Sequence, residues 1–377
     1  MRIGIDVRYL SHGLVGGVHR YVTYLVPALL AAGPQHEFFL YADTKNRLEL
    51  ADLPANAIVR LLPYRNPLSS IYNDYFMNRA MAQDRLDVVH FPANYGFGPR
   101  GVRTVITLHD QINVMPLREI IRGHAKKVST IGMMTYLHVS TVRALRRAHL
   151  IVTISDYSRR EIIRHSGFTA DRVEVVMYGP PPDARRITDP AVLEDVRQRY
   201  QLEKPFVLAD AIKNPGTLVR AWERLAPELR ERYQIVFFSR TPEPPAEVIE
   251  AQTAGHARLL VRPPYDDLLV LFNLAQAFVF PSWIEGLGIP VFEAMTCGAP
   301  VIASDRGSIP EVAGDAGLLA DAEDAEGFAR NITRVLTEPD LAAKMRARGF
   351  TRARQFTWDE TARRILNCYE RALHLPL

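Results

Sequence analysis

At 377 residues, with 47% hydrophobic and 23% charged residues, the chain is too long for one hydrophobic core and has the make-up of a globular protein, so two domains are expected. No run approaches the roughly 18 uninterrupted apolar residues of a spanning helix, and Cys297 and Cys368 are too few and too poorly spaced for a disulfide framework or a metal site. The net charge of +4 hides an asymmetry: residues 1–178 hold 22 Lys/Arg against 14 Asp/Glu, giving +8 and leaving −4 for the remainder. That excess reads equally as a solvated basic surface or as a patch for anionic lipid or a phosphorylated acceptor.

The chain opens on MRIGIDVRYL, a charged strand pattern and not a signal peptide, which implies a cytoplasmic protein. RIGIDV, HEFFLYA, AIVRLLP, DVVHFPA, TVITLHD and LIVTISD follow as short apolar runs, several ending in a small or polar residue where a strand meets its loop. Between them, residues 18–31 and 158–165 carry apolar side chains three and four apart. Strands alternating with helices predict a parallel, doubly wound sheet. In MYGPPPDARRITDP (177–190) three consecutive prolines break both helix and sheet, marking a linker. Alternation then resumes through KPFVLADA, a helix over 216–225, YQIVFFS, ARLLVRPP, a helix over 265–275, AFVFPS, a further helix and PVIASD. The fold class expected is α/β, with two Rossmann-like doubly wound domains facing a central cleft. Their boundaries are 1–180 and 181–358, with a C-terminal amphipathic helix over 359–377 that has Thr357 as its cap and packs back on the first domain.

The stretch FVFPSWIEGLGIPVFEAMTCGAPVIASDRGSIPE, from Phe278, carries the clearest chemistry. A strand leads through the turn WIEGLG into a short helix with Pro290 at its start and Gly298 just past its end. Free N–H groups from Gly288 onward form an anion site. Glu285 lies in the turn and Glu293 near the first helical turn, so both can border that site, and a carboxylate accepting two hydrogen bonds suits vicinal sugar hydroxyls. Taken alone, the two glutamates read sooner as a turn cap (Glu285) and a helix-dipole partner (Glu293) than as sugar ligands.

The segment E-G-x-G-x-P-x-x-E followed by A-M-x-C-G-x-P-V-I-A-S-D-x-G closely resembles the donor-binding segment of retaining glycosyltransferases of family 4, which have the GT-B fold. The resemblance implies that Glu285 contacts the donor sugar, Glu293 holds the nucleotide ribose, and the backbone of Gly286, Leu287 and Gly288 faces the sugar and diphosphate. IGIDVRYLSHGLVGGVHRYVTYL is similar to the family's first strand and glycine-rich loop, where Gly16 and Gly17 would let the backbone approach phosphates. The absence of G-x-G-x-x-G counts against a nicotinamide enzyme. TVITLHDQINVMP resembles the family's His-Asp segment, placing His109 near the donor sugar with Asp110 to orient it. FVLADAIKNPGTLVRAW matches at Lys213 and Asn214, with Lys213 expected to neutralise the diphosphate as the bond breaks. It departs from the family at Ile212, where an arginine is usual, so either another cation such as Arg240 or Arg262 substitutes or the donor pocket is weaker than usual in the family.

The resemblance implies a nucleotide-diphospho-sugar donor, a glycan or lipid-linked acceptor, no cofactor, no metal and no nucleic acid. It is strongest toward bacterial enzymes that build surface polysaccharide or lipopolysaccharide from GDP-mannose, or from a deoxysugar such as rhamnose. LREIIRGHAKKVSTIGMMTYLHVSTVRALRRAH fits an interfacial helix on the inner face of the cytoplasmic membrane and equally a basic surface helix with a buried face. A non-catalytic nucleotide-sugar-binding partner of the same fold is the alternative from a different class. An isomerase or phosphorylase would need a cofactor-anchoring lysine segment that the sequence lacks.

Overall fold

The computed structural model describes residues 1–11, 16–48, 50, 52–122 and 127–375. Two compact units result, one of Met1–Tyr178 with Thr357–Leu377 and one of Gly179–Phe356. In the first, β1 (Arg2–Asp6), β2 (Glu37–Asp43), β3 (Ala57–Leu62), β4 (Val88–Phe91), β5 (Arg103–Thr107), β6 (Leu150–Thr153) and β7 (Val173–Val175) form an all-parallel sheet of order β3-β2-β1-β4-β5-β6-β7. Ile3 pairs with Phe38 on one side and Val88 on the other, so the strand order reverses at β1, the switch point at which doubly wound sheets bind ligands. The inner strands are near-continuous apolar runs because helices cover both faces; Val88, Val89, Val105, Ile106, Ile151 and Val152 have no exposed surface. β7 is a three-residue edge strand with Glu174 at its centre, too short and too polar to be read from pattern.

The helix Trp358–His374 belongs to this first unit. Thr357 caps it, its hydroxyl accepting from the Glu360 N–H at 3.1 Å, and it packs against the helix Gly17–Ala32. Its buried Tyr369 hydroxyl lies 2.7 Å from His90 Nδ1, while His90 Nε2 lies 2.8 Å from the Thr107 hydroxyl. A polar chain thus ties the last helix through β4 to the C-terminal end of β5.

The second unit repeats the plan with β8 (Phe206–Asp210), β9 (Gln234–Ser239), β10 (Ala257–Val261), β11 (Ala277–Phe280), β12 (Val301–Ser304) and β13 (Gly317–Ala320), again all parallel, in the order β10-β9-β8-β11-β12-β13. Trp222, Phe237, Val279, Ile302, Phe328 and Ile332 form the centre of its core. β13 was not expected from the sequence; it is an edge strand whose four residues are all half-buried, so it lacks an apolar run. No helix among the described residues is long and apolar enough to cross a membrane.

Candidate active site

In the second unit the candidate residues gather where β8, β11 and β12 end. β8 finishes at Asp210, and the turn beyond it carries Ile212, Lys213 and Asn214. The Ile212 N–H donates to Asp210 Oδ1 at 3.0 Å, closing the turn. Asn214 takes left-handed backbone angles, φ 54°, at the start of the helix Pro215–Glu223. Its amide Nδ2 donates to the carbonyls of Pro281 at 2.9 Å and Ala322 at 2.8 Å. Both amide hydrogens thus fasten the loops after β11 and β13 beside the Lys213 turn.

The loop after β11 holds Glu285 rigidly. Glu285 Oε1 accepts from the Ser282 hydroxyl at 2.7 Å and pairs with Lys213 Nζ at 2.8 Å, while its backbone carbonyl accepts from the Ser308 hydroxyl at 2.9 Å. Gly307, at φ 61°, passes so close that an added Cβ would sit 3.0 Å from the Glu285 amide nitrogen. Gly286, Leu287 and Gly288 then lead into the helix Ile289–Cys297. Gly288 supplies the φ of 86° that the turn requires, and Pro290 lies in the first helical turn. Glu293 is 1% exposed and accepts from the Tyr265 hydroxyl at 2.7 Å. The turn backbone between the two carboxylates therefore sits at a helix N-terminus, which favours anions.

Two members of this cluster escaped the sequence reading. Tyr265 opens the helix Tyr265–Leu274 directly after a strand and two prolines; that placement was its only signal. Asp210 is the other, a buried carboxyl whose titration is pushed up by burial and by nearby Glu285, against the opposing effects of Arg240, the Ile212 N–H and Lys213. Arg240 Nη1 lies 3.5 Å from Asp210 Oδ2, whereas the Arg262 N–H, at φ 50°, donates to the Ser239 carbonyl at 2.7 Å. Arg240, one of the two arginines considered in place of the missing one, thus reaches the end of the strand that leads to Lys213. Asp210, Lys213, Arg240 and Glu285 make two cation–anion pairs at one point of the sheet.

In the first unit, His109 follows the end of β5 and is buried. Its Nε2 lies 2.9 Å from the Pro92 carbonyl, which can only accept, so Nε2 carries the hydrogen and Nδ1 is left as an acceptor. Burial pushes the imidazole down to about 4, against the Pro92 hydrogen bond, so the ring is neutral at pH 7. Tyr21 meets it edge-on with centroids 4.8 Å apart. The expectation that Asp110 orients the ring is corrected: the Pro92 carbonyl holds it, and Asp110 Oδ1 accepts the Ile112 N–H at 2.9 Å to close the next turn. Gly16 caps the helix Gly17–Ala32, and among the described residues no atom beyond the local chain lies within 4 Å of a Cβ built on Gly16 or Gly17; residues 12–15 of that loop are outside the described residues. Among the described residues no group of three or more His, Cys, Asp or Glu side chains is placed to hold a metal.

Residues 207–338 match the family model described as Glycosyl transferases group 1, and residues 15–182 match the one described as Glycosyltransferase Family 4. The O-antigen chain mannosyltransferase B of Escherichia coli is 34% identical over 297 residues, covering 76% of this chain and 75% of that protein. The chain belongs to the family 4 glycosyltransferases. The serotype-specific mannosyltransferase WbdA of Escherichia coli is 29% identical over 247 residues, covering 63% of this glycosyltransferase but 30% of WbdA. The solved sucrose-phosphate synthase from Thermosynechococcus elongatus matches with a TM-score of 0.72 at 20% identity over 98% of both chains. Both parallel sheets of this glycosyltransferase thus belong to a GT-B fold.

Proposed function

We propose that this glycosyltransferase moves mannose, with retention of configuration, from GDP-mannose to an acceptor hydroxyl of a bacterial surface polysaccharide or lipopolysaccharide. The observation that carries this reading is the Lys213–Glu285 pair, 2.8 Å apart, beside the N-terminus of a helix that also carries buried Glu293. In this reading Glu293, aimed by Tyr265, accepts hydrogen bonds from the ribose, and Glu285 accepts from the donor sugar. The diphosphate lies along the backbone of Gly286, Leu287 and Gly288, where N–H groups and the helix dipole meet the charge that develops as the glycosidic bond breaks. Lys213 turns from Glu285 toward that charge and Arg240 adds a second cation, so no metal or other cofactor is called for. Within the first unit, Gly16 and Gly17 carry backbone N–H groups suited to a phosphate, and neutral His109 offers Nδ1 to a substrate hydroxyl. The acceptor attacks on the face from which the nucleotide leaves and the departing phosphate takes its proton; neither glutamate serves as general base.

The mannose assignment draws on the two Escherichia coli relatives, both named as mannosyltransferases. Membrane contact belongs to the same proposal. The helix Val128–Leu145 exposes Val128 and Met133 beside exposed Lys127, a pairing of apolar and basic groups suited to an anionic leaflet, while residues 123–126 of that segment lie outside the described residues. The protein would then work in the cytoplasm at the inner face of the membrane. Calorimetric titration with GDP-mannose, UDP-glucose and dTDP-rhamnose, followed by NMR of the anomeric configuration of the product, tests the reading. Selective GDP-mannose binding with an α-mannosyl product is expected. Selective binding of dTDP-rhamnose would replace the sugar, and a donor that binds without ever being turned over would make the protein a non-catalytic partner.

A further inference from the structure

A second charged site lies at the opposite edge of the first sheet, where no donor or acceptor role has been assigned. Strands β5, β6 and β7 run parallel, so their first residues share one edge, and a cavity of about 570 Å³ opens there. It lies about five residues back along β5 from His109, roughly 16 Å at the rise of a strand, and its volume falls within the usual range of small-molecule sites. Arg100, Arg146, Arg147, His149 and Arg172 line it together with Thr104.

The local structure presents these cations deliberately. Arg100 sits at the second position of the turn Pro99–Val102, in which the Val102 N–H donates to the Pro99 carbonyl and Gly101 supplies a φ of 81°. Gly98 leaves the floor open, since a Cβ there would fall 2.3 Å from the Thr104 hydroxyl oxygen. Arg146 and Arg147 follow the end of the helix Val128–Leu145, where the carbonyl dipoles would repel an anion. Those carbonyls are engaged: Ala144 and Leu145 accept from the N–H groups of Arg147 and Ala148, and Ala148 and His149 accept from Arg172 at 2.7 and 2.8 Å. His149 Nδ1 accepts the Thr104 N–H at 3.0 Å, so its hydrogen is on Nε2 and is available to a ligand. Arg172 is thus committed to the fold. Exposed Arg100, Arg146 and Arg147, by contrast, have no carboxylate within ion-pair distance among the described residues.

We propose that this cavity is a binding site for a phosphate-ester anion, with Arg100, Arg146 and Arg147 supplying the charge and His149 Nε2–H a directed donor. The anion is either a free phosphate compound or the headgroup of an anionic lipid, which present the same chemistry to these side chains. The site is independent of the donor site and stands whether or not the donor assignment does.

The test is calorimetric titration of the full chain with inorganic pyrophosphate, paired with sedimentation on vesicles of phosphatidylglycerol or phosphatidylcholine. A background of Lys213→Met with Arg240→Met removes both cations of the donor site and leaves Glu285 and Asp210 there to repel the anion. One pyrophosphate per chain should still bind in that background, and adding Arg100→Gln and Arg147→Gln should weaken it at least tenfold with an unchanged melting temperature, because both side chains are exposed. Binding confined to phosphatidylglycerol vesicles and lost in the same variant supports the site with lipid as the source. Binding that survives the arginine substitutions, or none to either probe, overturns it.

Discussion

Replacing Lys213 by Met removes one ammonium while keeping most of the side-chain length. The pair it leaves, at 2.8 Å from Glu285, is worth about 6 kcal/mol of gross attraction at an effective dielectric of about 20. Much of that is offset by the cost of desolvating both groups, whose side chains are 30% and 14% exposed, and Glu285 keeps its Ser282 hydrogen bond. The net loss of stability should therefore be about 1 to 3 kcal/mol, between the values for exposed and fully buried pairs. Catalysis should suffer differently. If Lys213 leaves Glu285 to meet charge on the departing diphosphate, its loss should lower kcat by about 100- to 1,000-fold, as removing one preorganised electrostatic donor typically does. Ground-state donor affinity should change by less than about tenfold. Urea denaturation gives the first quantity, release of nucleotide under saturating donor and acceptor the second, and calorimetry the third. A kcat that falls no further than donor affinity would make Lys213 a simple binding group. Unchanged activity with lowered stability would make the ion pair purely structural and refute its role in transfer.

Tyr265→Phe deletes the hydroxyl that donates to buried Glu293 and should weaken GDP-mannose binding by about 1.5 to 3 kcal/mol, the usual worth of a hydrogen bond to a charged group; calorimetry reads it. Gly307→Ala forces a non-glycine residue into φ 61° with its Cβ against the Glu285 backbone. It should cost more than about 1 kcal/mol in denaturation and lower transfer. His90 and His109 are pushed by burial to about 3 and about 4, below the unfolded value near 6.5. The unfolded chain therefore binds the extra protons first, so the stability these neutral rings contribute is fully present above pH 6.5 and lost as pH falls toward 4 and then 3. The loss should reach about 3 kcal/mol or more, and His90→Gln should flatten a plot of stability against pH over that range. Asp210 has the opposite sign: its carboxyl is pushed up by burial, so Asp210→Asn should stabilise the protein at pH 7, with the gain shrinking as pH falls and the native carboxyl protonates.

How much could be read in advance follows from what each signal depends on. Apolar runs such as FVLAD and LIVT are strands because parallel strands are covered on both faces, and no neighbour is needed to see that. Thr357 is legible as a cap because capping is local. Glu285 and Glu293 stand out through the glycines and proline that space them. β7 and β13 were missed because an edge strand needs no continuous apolar run. Asp110 was misread because sequence adjacency suggested a partner for His109 that the fold instead finds in the Pro92 carbonyl, 17 residues away.

By itself the sequence determined the alternation of strands and helices, the caps and turns, and the glycine-framed pair of glutamates, since all of these depend on periodicity and local backbone preference. Tertiary structure alone decided which side chains share a charge. The Tyr265–Glu293 bond spans 28 positions, the Lys213–Glu285 pair unites two strand ends, and the basic cavity draws on residues from Gly98 to Arg172. In a parallel sheet the ends of successive strands lie far apart in sequence and about 5 Å apart in space. Charges that act together there carry no common spacing for a reader of the sequence to find.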